Sequence, residues 1–171
     1  MAPQGVETRP TSDRLRETLF NVVAPSVPDS VWIDLFAGTG AVGIEALSRG
    51  AAQAYFVESS RRAARAIRDN LHSLSIDEGA EVIEREASIA LRMLDTQAVV
   101  CDFCFLDPPY RKMGDYEQTL GFLSQSRLLK PESMVIAEHD KHFDPGDAFG
   151  ALRRQRSLRQ GDAVLSFYSL E

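Results

Sequence analysis

Apolar positions recur along this chain with two different periods, and the switches between them define the expected elements. From residue 12 to 23 the apolar positions Leu15, Leu19, Val22 and Val23 keep helical spacing, with Arg14, Arg16 and Glu17 on the remaining surface. This predicts an N-terminal helix over 11–24 behind an aperiodic, extended arm at 1–10. Pro25 and Pro28 stop that helix. Val31-Trp32-Ile33-Asp34-Leu35 then reads as a short buried strand, followed at once by Gly38, Gly40 and Gly43 and by a helical pattern from Ala41 to Ser48. The strand-then-helix unit repeats over 54–57 and 60–74, over 81–84 and a helix to about 94, and over 103–106 and 116–128, before a last such strand at 134–137. The final segment differs in kind: 152–158 and 163–170 flank Gln160-Gly161-Asp162 and predict an antiparallel hairpin. One helix, repeated β-α units and a closing hairpin predict an α/β fold. Its sheet is mostly parallel, with helices on both faces, in one domain spanning 1–171 whose sheet core covers 31–171.

Length and charge narrow the partners. A chain of 171 residues is large enough to bury roughly 70% of the surface its unfolded form exposes, without disulfides. The net charge of −6 and pI near 5.1 argue against a protein that grips nucleic acid over a broad surface, so a nucleic-acid partner must meet a local patch. Arginines cluster at positions 9, 14 and 16, again at 61, 62, 65 and 68, and again at 153, 154, 156 and 159. No apolar run approaches the ~20 residues of a membrane span, and residues 1–4 do not begin a signal peptide, so the expected location is the cytoplasm.

Cys101 and Cys104 form C-x-x-C. Residues three apart on a strand point to opposite faces, so the thiols are expected to diverge, with Cys104 a small core residue. His139 and His142 lack a supporting ligand cluster, and no metal site is expected.

The candidate chemistry lies in the glycine-rich run. Glycines between a strand and a helix let backbone approach a ligand closely, and the helix start presents unpaired N–H groups. Gly38, Gly40 and Gly43 also fit the dinucleotide fingerprint, with Glu58 20 residues after Gly38, so a nicotinamide oxidoreductase is one reading. Asp34 tilts the choice, because a carboxylate there disfavours a pyrophosphate and can accept a hydrogen bond from a cationic amine. Glu58 at the end of the second strand can accept both hydroxyls of a ribose, and Glu86 stands just past the third. The fourth strand runs into Asp107-Pro108-Pro109-Tyr110. Two prolines stiffen this loop and remove two donors. An amine of a flat base would donate to Asp107 and to the Pro108 carbonyl, with the Tyr110 ring over the base. This loop alone does not separate guanine N2 from adenine N6, or RNA from DNA.

With these residues in hand, nearly the whole chain resembles the bacterial small-subunit (16S) ribosomal RNA guanine-N2 methyltransferases of the RsmD family. The resemblance rests on the run from Arg9 through Asn21, on Asp34-Leu35-Phe36-Ala37-Gly38-Thr39-Gly40, and on Asp107-Pro108-Pro109-Tyr110. It implies a Rossmann-like class I methyltransferase with a seven-stranded sheet, one strand of it antiparallel. It implies S-adenosylmethionine held by Asp34, Phe36, Ala37, Gly38, Thr39, Gly40, Glu58, Ser59, Glu86 and Ala87. Catalysis falls to Asp107, Pro108, Pro109 and Tyr110, and contact with ribosomal RNA to Arg9, Thr11, Arg14 and Arg16. Family members usually carry a basic N-terminal hairpin before the Arg-Pro-Thr run, whereas eight residues precede Arg9 here. A monomer acting on RNA within a small-subunit particle is therefore expected. Three other classes remain open: an adenine-N6 methyltransferase, an NAD-binding oxidoreductase, and an RNA-binding module without catalysis.

Overall fold

The computed structural model describes residues 13–109 and 114–171. Five strands, β1 (Val31–Leu35), β2 (Gln53–Val57), β3 (Ala80–Ile83), β4 (Cys101–Leu106) and β5 (Leu129–Asp140), pair in parallel in the order β3-β2-β1-β4-β5. The closing hairpin, β7 (Leu152–Gln160) and β8 (Ala163–Leu170), joins beyond β5 through β8, which runs against it. The turn is short: Gln160 registers with Ala163, and Gly161 takes φ +61°.

Among the described residues the sheet has eight strands rather than seven. The extra one, β6 (Ala148–Phe149), is two residues long and lies outside β7, antiparallel to it. It follows the Asp144–Asp147 turn, which Arg154 holds through ion pairs to both aspartates. That long-range anchor has no local sequence pattern.

Period-two alternation sorts the strand residues onto two apolar layers. Trp32, Phe56, Phe103, Phe105, Ile136 and Phe167 face α1 (Asp13–Val23), α2 (Ala41–Ser48) and α3 (Arg61–Ser73). Ile33, Leu35, Val57, Leu106, Val135 and Ala137 face α4 (Ala87–Thr96) and α5 (Gly114–Gln125). Helix α1 buries Leu15, Leu19 and Val23, as its spacing predicts, and Phe20 besides, while Val22 is only partly buried. Phe20 stacks on Trp32 at 5.3 Å and Trp32 on Phe103 at 4.5 Å. Each such pair contributes about 0.5–1.5 kcal/mol beyond simple burial.

The two cysteines correct an expectation. Cys101 and Cys104 do not diverge; both sit in the α4–α5 layer. The register of β4 against β5 slips between Cys101 and Phe103, and such a bulge adds a residue that resets the alternation. The residue at the bulge, Asp102, accepts the Val31 N–H at 2.7 Å and pairs with Lys130. Burial, then the nearby Asp102, pushes the Cys101 thiol up to about 12, and burial also raises that of Cys104. Both are free, protonated core side chains. His139 is also buried: Nδ1 meets the Asp140 carbonyl and Nε2 the Ser166 hydroxyl.

Candidate active site

The glycine turn between β1 and α2 holds an unusual backbone. Phe36, Gly38 and Gly40 have φ of +56°, +59° and +80°, so three of five successive residues are left-handed. For Phe36 this conformation is strained, and such strain persists only where the surroundings enforce it. Ala37 N–H donates to the Val57 carbonyl at 3.0 Å, and Gly40 N–H to the Ala37 carbonyl at 2.8 Å. From α3, the Asn70 amide donates to the Thr39 carbonyl at 3.1 Å. Nothing in the polar pattern of α3 singles Asn70 out.

The three glycines serve different needs. A Cβ on Gly38 would meet nothing within 4 Å, so that side of the turn is open for a ligand to approach. Gly40 has Ile67 and Phe56 at 3.2–3.3 Å. At Gly43 a Cβ would fall 2.4 Å from the Phe56 ring, so the third glycine seats helix on strand, as in dinucleotide folds.

Asp34 lies on the α1–α3 side, 2% exposed, beneath the start of α2. Its carboxyl accepts the Gly43 N–H at 3.1 Å. Burial dominates and pushes it up to about 8, with the Gly43 bond opposing and the charge of Glu58 adding. At neutral pH it is mostly protonated, and a cation brought above it would favour its ionisation.

Glu58 stands where β2 ends. One carboxylate oxygen accepts the Gly38 N–H at 3.0 Å and the other the Ser60 N–H at 2.8 Å. The residue thus both braces the glycine turn and precedes a helix, since Ser60 caps α3 by accepting the Ala63 N–H. Ser59 is exposed beside it. Glu86, also exposed, is the N-cap position of α4 without a capping bond of its own, and Ala87 opens the helix. Phe36, Glu86 and Ala87 meet across a hollow of about 530 Å³, counting the solvent it opens onto, whose far wall is Thr119 and Phe122 of α5. These residues suit a ligand with a flat heterocycle: an aromatic and aliphatic floor with carboxylate and helix-start polar groups at the rim.

Asp107 and Pro108 follow β4 directly. Leu106 registers with Leu35 on one side and Ala137 on the other, so the loop emerges between the glycine turn and the end of β5. Asp107 is half-buried, Pro108 buried and Pro109 exposed. Tyr110 lies outside the described residues, as do Arg9 and Thr11. Beyond the loop, the buried Tyr116 of α5 donates its hydroxyl to the Glu138 carbonyl at 2.5 Å, tying the far end of the loop to β5. That anchor is invisible to a reading of α5 by its periodicity.

The expected RNA-facing arginines of α1 divide. Arg14 is exposed, whereas Arg16 pairs with Asp13 at 3.1 Å and with Glu45 of α2 at 3.5 Å. Thr18 Oγ1 lies 2.7 Å from the Gln160 amide oxygen, which fixes α1 against the closing hairpin at the edge where the parallel strands end.

The sheet order, the glycine turn after β1 and the acid closing β2 define a Rossmann-like class I methyltransferase fold. Residues 1–169 match the family described as "Conserved hypothetical protein 95", and the chain belongs to that family, which includes the ribosomal RNA small subunit methyltransferases D. It is 32% identical over 167 residues to the Bacillus subtilis "Putative rRNA methyltransferase YlbH", covering 98% of this chain and 90% of that one. It is 38% identical over 138 residues to the Escherichia coli "Ribosomal RNA small subunit methyltransferase D", covering 81% and 67%. The solved structure of the Escherichia coli "Putative methyltransferase yhhF" superposes with a TM-score of 0.81 at 30% identity, covering 97% of this chain and 90% of that one.

Proposed function

We propose that this protein transfers a methyl group from S-adenosylmethionine to the exocyclic N2 amine of a guanine in small-subunit ribosomal RNA. The observation that carries the reading is the Asp107-Pro108-Pro109 loop beside the glycine turn, held there by the Leu35–Leu106 register, in a chain whose relatives are named as ribosomal RNA methyltransferases. The cofactor fits the residues present: the open side of Gly38 for its amino-acid part, Glu58 for ribose hydroxyls, and the Phe36–Glu86–Ala87 hollow for adenine.

The bound cofactor supplies an already activated sulfonium methyl. The rest is alignment. Asp107 and the Pro108 carbonyl accept the two N–H bonds of the amine, which turns its lone pair out of the ring plane and toward the methyl. The cofactor would supply the methyl carbon to this lone pair, with sulfur as the leaving group that keeps the S–C electron pair. The nitrogen becomes cationic, which the Asp107 carboxylate favours over the neutral ground state. Asp107 then takes the released proton, directly or through water. Arg14, with Arg9 and Thr11, contributes to contact with phosphates at the α1 end of the site. The acidic balance of the chain favours a substrate whose folded form supplies orientation, so the protein works as a cytoplasmic monomer on a small-subunit particle.

Labelled-methyl transfer to small subunits, naked ribosomal RNA and duplex DNA in parallel, followed by nucleoside digestion, tests this. N2-methylguanine from the particle is expected. Recovery of N6-methyladenine from DNA overturns the reading, and transfer to none of the three by folded preparations that bind S-adenosylmethionine makes the chain a binding module.

A further inference from the structure

The loop after β4 accepts an amine on a planar ring, but an amine alone does not say which ring. A second acid at the same sheet edge does. Ala137 registers with Leu106, so Glu138 stands one residue further along β5 just as Asp107 stands one residue past Leu106. Neighbouring strands lie about 4.8 Å apart, so the backbone of Glu138, still within β5, runs beside that of Asp107, the first residue past β4. Within β5 the alternation fixes the face of Glu138. Phe105 and Ile136 belong to the α1-side layer, Leu106 and Ala137 to the other. Glu138 is opposite Leu165 of β8, itself in the α1-side layer, and opposed residues of an antiparallel pair share a face. Glu138 is 7% exposed, and its backbone is pinned by the Tyr116 hydroxyl.

Ionised, the carboxylates of Asp107 and Glu138 offer acceptors only. The Watson–Crick edges of the candidate bases differ at this point. Guanine offers its N2 amine and, next to it, the N1–H: two adjacent donors. Adenine offers its N6 amine next to a bare N1, an acceptor that would face a carboxylate with no proton between them.

We propose that Glu138 determines base specificity, its carboxylate accepting the N1–H of a guanine whose N2 amine is held by Asp107 and the Pro108 carbonyl. This rests on the guanine-N2 reading of the same site and supplies a physical basis for it. Glu138 touches no reacting atom; it fixes which ring can place an amine at Asp107.

The test uses 2-aminopurine, which keeps the 2-amine of guanine but has an acceptor at N1. Small subunits are reconstituted with guanine or 2-aminopurine at the methylated position, and kcat/KM is measured for wild type and for Glu138→Gln. A site built around a donor rejects an analogue lacking it strongly, so wild type is expected to prefer guanine by about 100-fold or more. The glutamine amide can donate to N1 of 2-aminopurine, so the preference should narrow to below about 10-fold in the variant. The ratio is independent of how much variant is folded, and a structural role alone would lower both rates equally. An equal loss on both substrates, or a wild type that uses 2-aminopurine as well as guanine, overturns the role of Glu138. If wild type makes no N2-methylguanine at all, it is the underlying reading that fails.

Discussion

Gly38 and Glu58 are joined across two strands by a bond of 3.0 Å from the glycine N–H to the carboxylate, so the turn proposed to face the cofactor is held by the residue proposed to hold its ribose. Replacing Glu58 by alanine removes this bond and the one from Ser60, each a charge-assisted bond worth roughly 1.5–3 kcal/mol at most, and less at this half-exposed position. The expected result is a lower melting temperature and at least a 10-fold loss of S-adenosylmethionine affinity by calorimetry. Thermal shift with S-adenosylhomocysteine and with NAD on the wild type separates the ligand classes: stabilisation by NAD alone would support an oxidoreductase.

The glycines should fail in different ways. Gly38→Ala meets no neighbour but strains a left-handed residue by about 1–2 kcal/mol and covers the open side of the turn. It should lose cofactor binding with a modest fall in stability. Gly43→Ala drives a methyl into the Phe56 ring at 2.4 Å and should lower stability more, by about 1–3 kcal/mol. Denaturant unfolding beside ligand titration reads both; equal effects of the two changes on stability would contradict the assignment.

Asp107→Ala should reduce kcat by about 100-fold or more while leaving cofactor affinity within about 3-fold, because the residue acts on the amine as charge develops. Single-turnover methyl transfer and calorimetry check the two halves separately. Wild-type turnover in this variant removes Asp107 from the chemistry.

Asp34 gives the protein a pH dependence. Its folded carboxyl sits near 8, above the ordinary value near 3.9 in the unfolded chain. Between those values the folded state binds more protons than the unfolded one, so stability falls as pH rises and levels off above about 8. Asp34→Asn keeps an acceptor for the Gly43 N–H without the charge. Its melting temperature should exceed that of wild type at pH 8, by an amount on the order of 5 kcal/mol in stability, and the gap should shrink toward pH 5. A pH-independent gap would mean that Asp34 does not titrate in that window.

Much of the fold was legible in the chain because its parallel strands are buried on both faces and punctuated by glycine and proline. The β1-turn-α2 unit, the Asp107 loop and the hairpin at Gly161 each follow from local chemistry. What escaped depends on contacts distant in sequence. The bulge that sets Cys101 and Cys104 on one face answers a pairing with β5, the brace from Asn70 to Thr39 spans 31 positions, and Arg16 looked available until α2 brought Glu45 against it. That Glu138 runs beside the Asp107 loop follows from the register of Leu106 with Ala137, which no motif in either segment encodes.

The outermost full-length strand has a consequence for how copies of this chain meet. Strand β6 pairs with only the first two residues of β7, Leu152 and Arg153, so among the described residues most of the outer rim of β7 has no strand alongside it. Arg153, Arg156 and Arg159 are exposed along that stretch, and Arg156 stacks over Phe167 of the neighbouring strand. A second molecule offering the same rim would bring like charges into register. Positive charge on an acidic chain thus makes this border a poor template for strand addition from copy to copy.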